Sequence, residues 1–140
     1  MSNEEFELSI SSQLKRQYRL NIESSCFSTG YIPKHILLDR TRNIHSYLLF
    51  CRNDNHSIIG SYWERGKLQN ELLNILRTQF SKLDRPLFFI IQDTDKTLKI
   101  IEGNFIREQM LQTPNSSIEE ILLTQSNILQ DIIFSIKNEL

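Results

Sequence analysis

Two uninterrupted apolar runs, Tyr47-Leu48-Leu49-Phe50-Cys51 and Leu87-Phe88-Phe89-Ile90-Ile91, constrain this chain more than any other feature. Each is too short for an ordinary helix, and neither alternates between apolar and polar as a strand with one wet face would. Continuous hydrophobicity of that kind, in Tyr47 to Cys51 and in the shorter His35 to Leu38, suits two neighbouring strands at the centre of a sheet covered by helices on both faces. A third short run, His35-Ile36-Leu37-Leu38, is separated from the first by the polar Asp39-Arg40-Thr41-Arg42-Asn43, which reads as a hairpin connection. Pro86 opens the most apolar strand, and Asp93-Thr94-Asp95-Lys96 turns it into Leu98-Lys99-Ile100-Ile101.

Helices to cover such a sheet are visible as stripes. Phe6, Ile10, Leu14, Tyr18 and Ile22 recur every four residues and predict an N-terminal helix that stops near Glu23, before the turn-forming segment Ser24 to Gly30. Tyr31-Ile32-Pro33 then resumes an extended course. Leu68, Leu72, Ile75, Leu76 and Phe80 predict a second helix, following Ile58-Ile59 and Tyr62-Trp63. After Pro114, Ser116 with Glu119 or Ser117 with Glu120 has capping-box spacing, so a helix is expected to start there. Ile118, Leu122, Gln125, Leu129, Ile132 and Ile136 continue it, and Ile121, Ile128, Ile133 and Phe134 widen its apolar face beyond what one sheet face needs.

The expectation is therefore an α/β chain forming one domain over 1–140. It has a small mixed central sheet flanked by helices, a core over about 6–112 ordered helix, strand, strand, helix, strand, strand, and a C-terminal amphipathic helix over about 116–140. With 39% hydrophobic and 24% charged residues in 140, the chain has ordinary material for one core. The polar, acidic start and the lack of a long apolar stretch predict a cytoplasmic protein with no membrane contact.

Net charge is −1, unevenly spread: Leu8 to Arg85 holds twelve Lys or Arg against six Asp or Glu, and Pro86 to Leu140 four against eight. A basic middle can face phosphates, although scattered charges more often form a solvated surface. Cys26 and Cys51 have no zinc spacing with His35, His45 or His56, so neither a metal nor another cofactor is expected. Gly-rich phosphate loops, HExxH and GxSxG are missing, which excludes the commonest nucleotide and hydrolase chemistries.

Ile32-Pro33-Lys34-His35-Ile36-Leu37-Leu38-Asp39-Arg40, followed by Tyr47-Leu48-Leu49-Phe50-Cys51-Arg52-Asn53, resembles the two motif strands of the PD-(D/E)xK, or restriction-endonuclease-like, superfamily. The resemblance covers Tyr31 to Ile101, about half the chain. In that family a helix precedes the sheet, a Pro-Asp pair opens one strand, the next carries Glu-x-Lys, and a helix and further strand follow. The acids hold a divalent metal that activates water. Matched residue by residue, Lys34 stands for the Asp, Phe50 for the Glu and Arg52 for the Lys. The resemblance thus implies a nuclease fold without its catalytic residues.

A shifted site built from Asp39, Glu64 or Glu71, and Lys67 is an alternative, although Asp39 is equally a turn residue and both glutamates equally solvent-facing. If the acids are lost, Lys34 and Arg52 can contact phosphate without metal, with Arg40, Arg42, Arg65 and Lys67 extending the patch and Tyr62 or Trp63 stacking on bases. Set against this, Arg52 can cap a carbonyl or pair with Asp54, and Trp63 can fill the core. DNA or RNA is therefore one expected partner, with a role alone or inside a nucleic-acid-processing or defence complex. The alternative is a protein-interaction module that dimerises or docks a partner through Leu129, Ile132, Ile133 and Ile136.

Overall fold

The two apolar runs lie side by side at the centre of one sheet. In the computed structural model, which describes residues 2–24, 33–64, 67–74, 76–77 and 83–140, strand β3 (Ile44–Asp54) pairs in parallel with β7 (Leu87–Gln92). Their register runs from Tyr47 opposite Leu87 to Arg52 opposite Gln92. A parallel pair needs a crossover. Here it comprises β4 (Ser57–Ile59), the small hairpin of β5 (Trp63–Glu64) and β6 (Lys67–Leu68), and the short helix α2 (Asn70–Asn74).

On the other side of β3 lies β2 (His35–Leu38), antiparallel through the expected hairpin, and beyond it β1 (Asn21–Ser24). Asp39 builds the hairpin turn, because its Oδ1 accepts from the backbone N–H groups of Thr41 and Asn43 at 2.9 Å each. Beyond β7 come β8 (Leu98–Glu102), antiparallel as the Asp93–Lys96 turn predicts, and a two-residue edge strand β9 (Asn127–Ile128). The result is a mixed sheet of seven strands with helices on both faces.

Helix α1 (Asn3–Gln17) begins at Ser2, whose Oγ accepts from the Glu5 N–H at 3.2 Å. It stops earlier than its stripe predicts. Arg19 turns to a φ of 56°, the left-handed region that ends helices, and Ile22 therefore falls in β1. Phe6, Ile10 and Leu14 pack on Leu37, Leu48, Phe50 and Ile90 on one face of the sheet. The opposite face carries Tyr47, Leu49, Cys51, Phe89 and Ile91 under Leu72, Leu76 and α3 (Gly103–Gln112), a helix absent from the sequence expectations. Cys51 is fully buried, and burial pushes its thiol pKa up.

The C-terminal segment departs most from expectation. Ser117 is the N-cap, accepting from the Glu120 N–H at 3.1 Å, but the helix divides into α4 (Ile118–Gln125) and α5 (Leu129–Asn138) around β9. Ser126 adopts an extended conformation, its hydroxyl donating to the Leu122 carbonyl at 2.7 Å, and Asn127 and Ile128 pair with Ile100 and Lys99 instead. The break explains the surplus of apolar surface. Ile118, Ile121 and Leu122 of α4 bury on the α3 face, whereas Leu129, Ile133 and Ile136 of α5 bury on the α1 face. No helix among the described residues is long and apolar enough to cross a membrane.

Candidate functional site

Strand alternation decides what the motif positions can do. Phe50 and Arg52 are two residues apart on β3 and share the α1 face. Phe50 is 1% exposed, and its ring stacks on that of His35 from β2 with centroids 4.3 Å apart. The position matched to the family's metal-binding Glu is therefore filled by hydrocarbon. Arg52 extends over Phe6 of α1 at 5.6 Å from the ring centroid, a cation–π contact, and its Nε is buried with no hydrogen-bond partner among the described residues. It makes no ion pair with Asp54 among those residues.

Beside this pair lies a polar cluster that the sequence reading overlooked. Glu7, on the core-facing side of α1 between Phe6 and Ile10, is 6% exposed. Its Oε1 accepts from the Ser61 hydroxyl at 2.5 Å, and its Oε2 stands 3.6 Å from His35 Nε2. Burial alone would raise the Glu7 carboxyl pKa, but His35, the Ser61 hydroxyl and the Lys34 charge outweigh burial and hold it below its ordinary value. The Lys34 backbone N–H donates to Tyr62 Oη at 3.2 Å, which binds the start of β2 to the loop after β4. Gly60 lets that loop come close, since a Cβ there would meet the Phe50 carbonyl oxygen at 3.0 Å. The one signal for this cluster in the sequence was a carboxylate inside the apolar stripe of α1.

The proposed basic patch is divided. Lys34 and Arg52 lie toward one end of β2 and β3, with Lys34 exposed. Arg40 and Arg42 lie in the turn at the opposite end, eight strand positions from Arg52 by the Ile44 register, or about 26 Å at 3.3 Å per residue. Arg42 is paired with Glu23 there. Lys67, on β6, belongs to the other face of the sheet, where its neighbour Leu68 joins the core. Arg65 lies outside the described residues, as do Cys26, Tyr31, Ile32, Ile75 and Phe80.

The shifted acid set is not gathered either: Asp39 occupies the turn beside Ile44, while Glu64 and Glu71 are exposed on elements that leave from the Arg52 end. Among the described residues no group of three His, Cys, Asp or Glu is placed to hold a metal. Trp63 is a core residue rather than a stacking platform, edge-on to Phe89 at 6.3 Å with its Nε1 donating to Glu119 at 3.3 Å. On α5, Leu129, Ile133 and Ile136 are buried against the chain's own sheet, so of the four residues expected at a partner interface only Ile132 retains appreciable exposure. Phe134, on the outer side of the helix, is 76% exposed.

No family model matches the chain, and no curated protein matches its sequence.

Proposed function

We infer that the chain is a nuclease-like domain whose catalytic positions have been replaced, and that it holds nucleic acid without cutting it, alone or as a subunit of a nucleic-acid-processing or defence complex. The observation that carries this reading is the replacement of both matched positions on one face of β3: Phe50, stacked on His35, fills the place of the resembling family's metal-binding acid, and Arg52, lying over Phe6, stands in that of its lysine. A guanidinium needs no metal to engage phosphate. A helix ahead of the sheet, adjacent antiparallel β2 and β3, and a later helix and strand in α2 and β7 also support the reading, with β1 inserted after α1 and β4 to β6 inserted before α2.

The contact surface on this reading is centred on Lys34 and Arg52, with the charges at the far hairpin turn contributing separately. A protein partner bound through α5 is the less favoured reading, since most of the apolar residues it would use already cover the sheet.

The test is retention of labelled single- and double-stranded DNA and RNA across a salt series, with and without magnesium or manganese. Binding should not depend on metal, should weaken steeply with salt, and should fall further in Lys34→Glu and Arg52→Glu. Metal-dependent cleavage would overturn the reading. Absence of binding at low salt would favour a protein partner.

A further inference from the structure

The sheet face opposite Arg52 carries a concavity that the proposed function does not use. Leu76 and Arg77, just beyond α2, line a cavity of about 340 Å³ together with Arg107, Met110 and Leu111 of α3. That volume falls in the size class of small-molecule sites, roughly 300–1,000 Å³. A neighbouring hollow of about 280 Å³ shares Arg77 and Met110 and adds Lys67.

The electrostatics of the two hollows are one-sided. Among the described residues none of Lys67, Arg77 and Arg107 makes an ion pair. Arg107 lines the first hollow, and its Nε is buried with no hydrogen-bond partner among the described residues. Among the described residues the one carboxylate lining either hollow is Glu119, and its Oε1 already accepts from Trp63 Nε1 and the Leu68 N–H, both at 3.3 Å. The apolar part of the walls is aliphatic or methionine, beside Asn70, Ser116 and Ser117, and no aromatic ring among the described residues lines either hollow. A nucleic-acid strand would want rings for its bases. Hydrocarbon suits Leu76, Met110 and Leu111 better.

We propose that this cavity binds a small amphiphilic anion, a carboxylate or phosphate monoester on an aliphatic chain. Arg107 and Arg77 hold the head, and Leu76, Met110 and Leu111 receive the chain. Acyl carboxylates and alkyl phosphates share this chemistry, and the probes below separate them.

The chain contains two methionines, so a protein labelled with ¹³C at the methionine methyl groups carries a reporter inside the cavity, Met110. Titration with decanoate or decyl phosphate should shift the Met110 signal saturably at one molecule per chain, and the tighter of the two identifies the head group. Arg107→Gln and Arg77→Gln should each weaken that binding about tenfold, the loss expected for one charge-assisted hydrogen bond. If Arg107→Gln lowers the melting temperature, Arg77→Gln, at an exposed side chain, carries the test. Three results would overturn the proposal: a Met110 signal unmoved by either amphiphile at millimolar concentration, binding unaffected by both arginine variants, or decanol binding as tightly as decanoate. Displacement of decanoate by a short single-stranded oligonucleotide would also overturn it, and would assign the groove to a nucleic-acid strand.

Discussion

Ser61 donates a 2.5 Å hydrogen bond to the buried carboxylate of Glu7, closing the loop after β4 onto a helix 54 positions earlier in the chain. Because the Glu7 pKa is lowered in the folded protein, its contribution is complete above the ordinary glutamate value of 4.5. It is lost progressively as the pH falls from there through the lowered folded-state value. Chemical denaturation at a series of pH values should show stability declining on this acid limb, and Glu7→Gln should flatten the limb while lowering stability at neutral pH. Ser61→Ala should cost about 1.5–3 kcal/mol at neutral pH, the range for a hydrogen bond to a charged group.

Phe50 tests the inactivated-site reading from the inside. Phe50→Ala should destabilise the chain by about 3–5 kcal/mol, as large-to-small changes of buried aromatic residues do. Phe50→Glu, which restores the family's acid at the matched position, should be at least as damaging because it buries a carboxylate among Leu48, Ile10 and Ile90. Thermal melts and manganese titration calorimetry check both points. A stable Phe50→Glu protein that binds manganese would mean that the position faces a latent metal site.

Tyr47 should report on the anchoring of β7. Its Oη donates to Asp84 at 2.6 Å, and its N–H donates to the Pro86 carbonyl at 2.8 Å, so β3 grips the segment that leads into its parallel neighbour. Burial first, and the Asp84 carboxylate second, push the phenol pKa up to about 12. Ultraviolet titration should therefore show one tyrosine resisting ionisation until about pH 12 or until unfolding. Tyr47→Phe should remove that late step and cost about 1 kcal/mol.

The parts of the fold legible in the sequence were those set by local chemistry. Continuous apolar runs marked β3 and β7, the polar segment Asp39 to Asn43 marked the hairpin turn, and two overlapping capping-box spacings, Ser116 with Glu119 and Ser117 with Glu120, marked the start of α4, where Ser117 is the cap. Elsewhere a distant interaction overrode a local pattern. Ile22 continued the helical stripe of α1 yet pairs with Leu37 in the sheet, because Arg19 reverses the chain first. Residues 126–128 fit a helix, but the open edge of β8 offered them backbone partners. The site was less legible than the fold for the same reason. Lys34 and Arg52 could be paired from the resemblance alone, whereas Glu7 meeting Ser61, or Arg77 sharing a cavity with Arg107, depends on tertiary closure.

The two sides of α5 make a direct contrast. Ile133→Asp places a charge at a residue 5% exposed in the α1-face core and should unfold the protein or cost about 4 kcal/mol or more. Phe134→Asp, at a residue 76% exposed, should change stability by less than about 0.5 kcal/mol. Circular dichroism melts of the two variants check the difference. A change of elution volume in Phe134→Asp alone would show that the outer face, not the expected stripe, makes contacts between molecules.

A single uninterrupted helix after Ser117 would have left the outer side of β8 without Asn127 and Ile128, its backbone groups facing solvent at the rim of a sheet reduced to six strands. A bare rim of that kind is a template for a strand from another molecule. The two-residue break thus acts as a guard against fibrous self-association. Substitutions that straighten the helix, such as alanine at both Ser126 and Asn127, endanger solubility before they endanger the core.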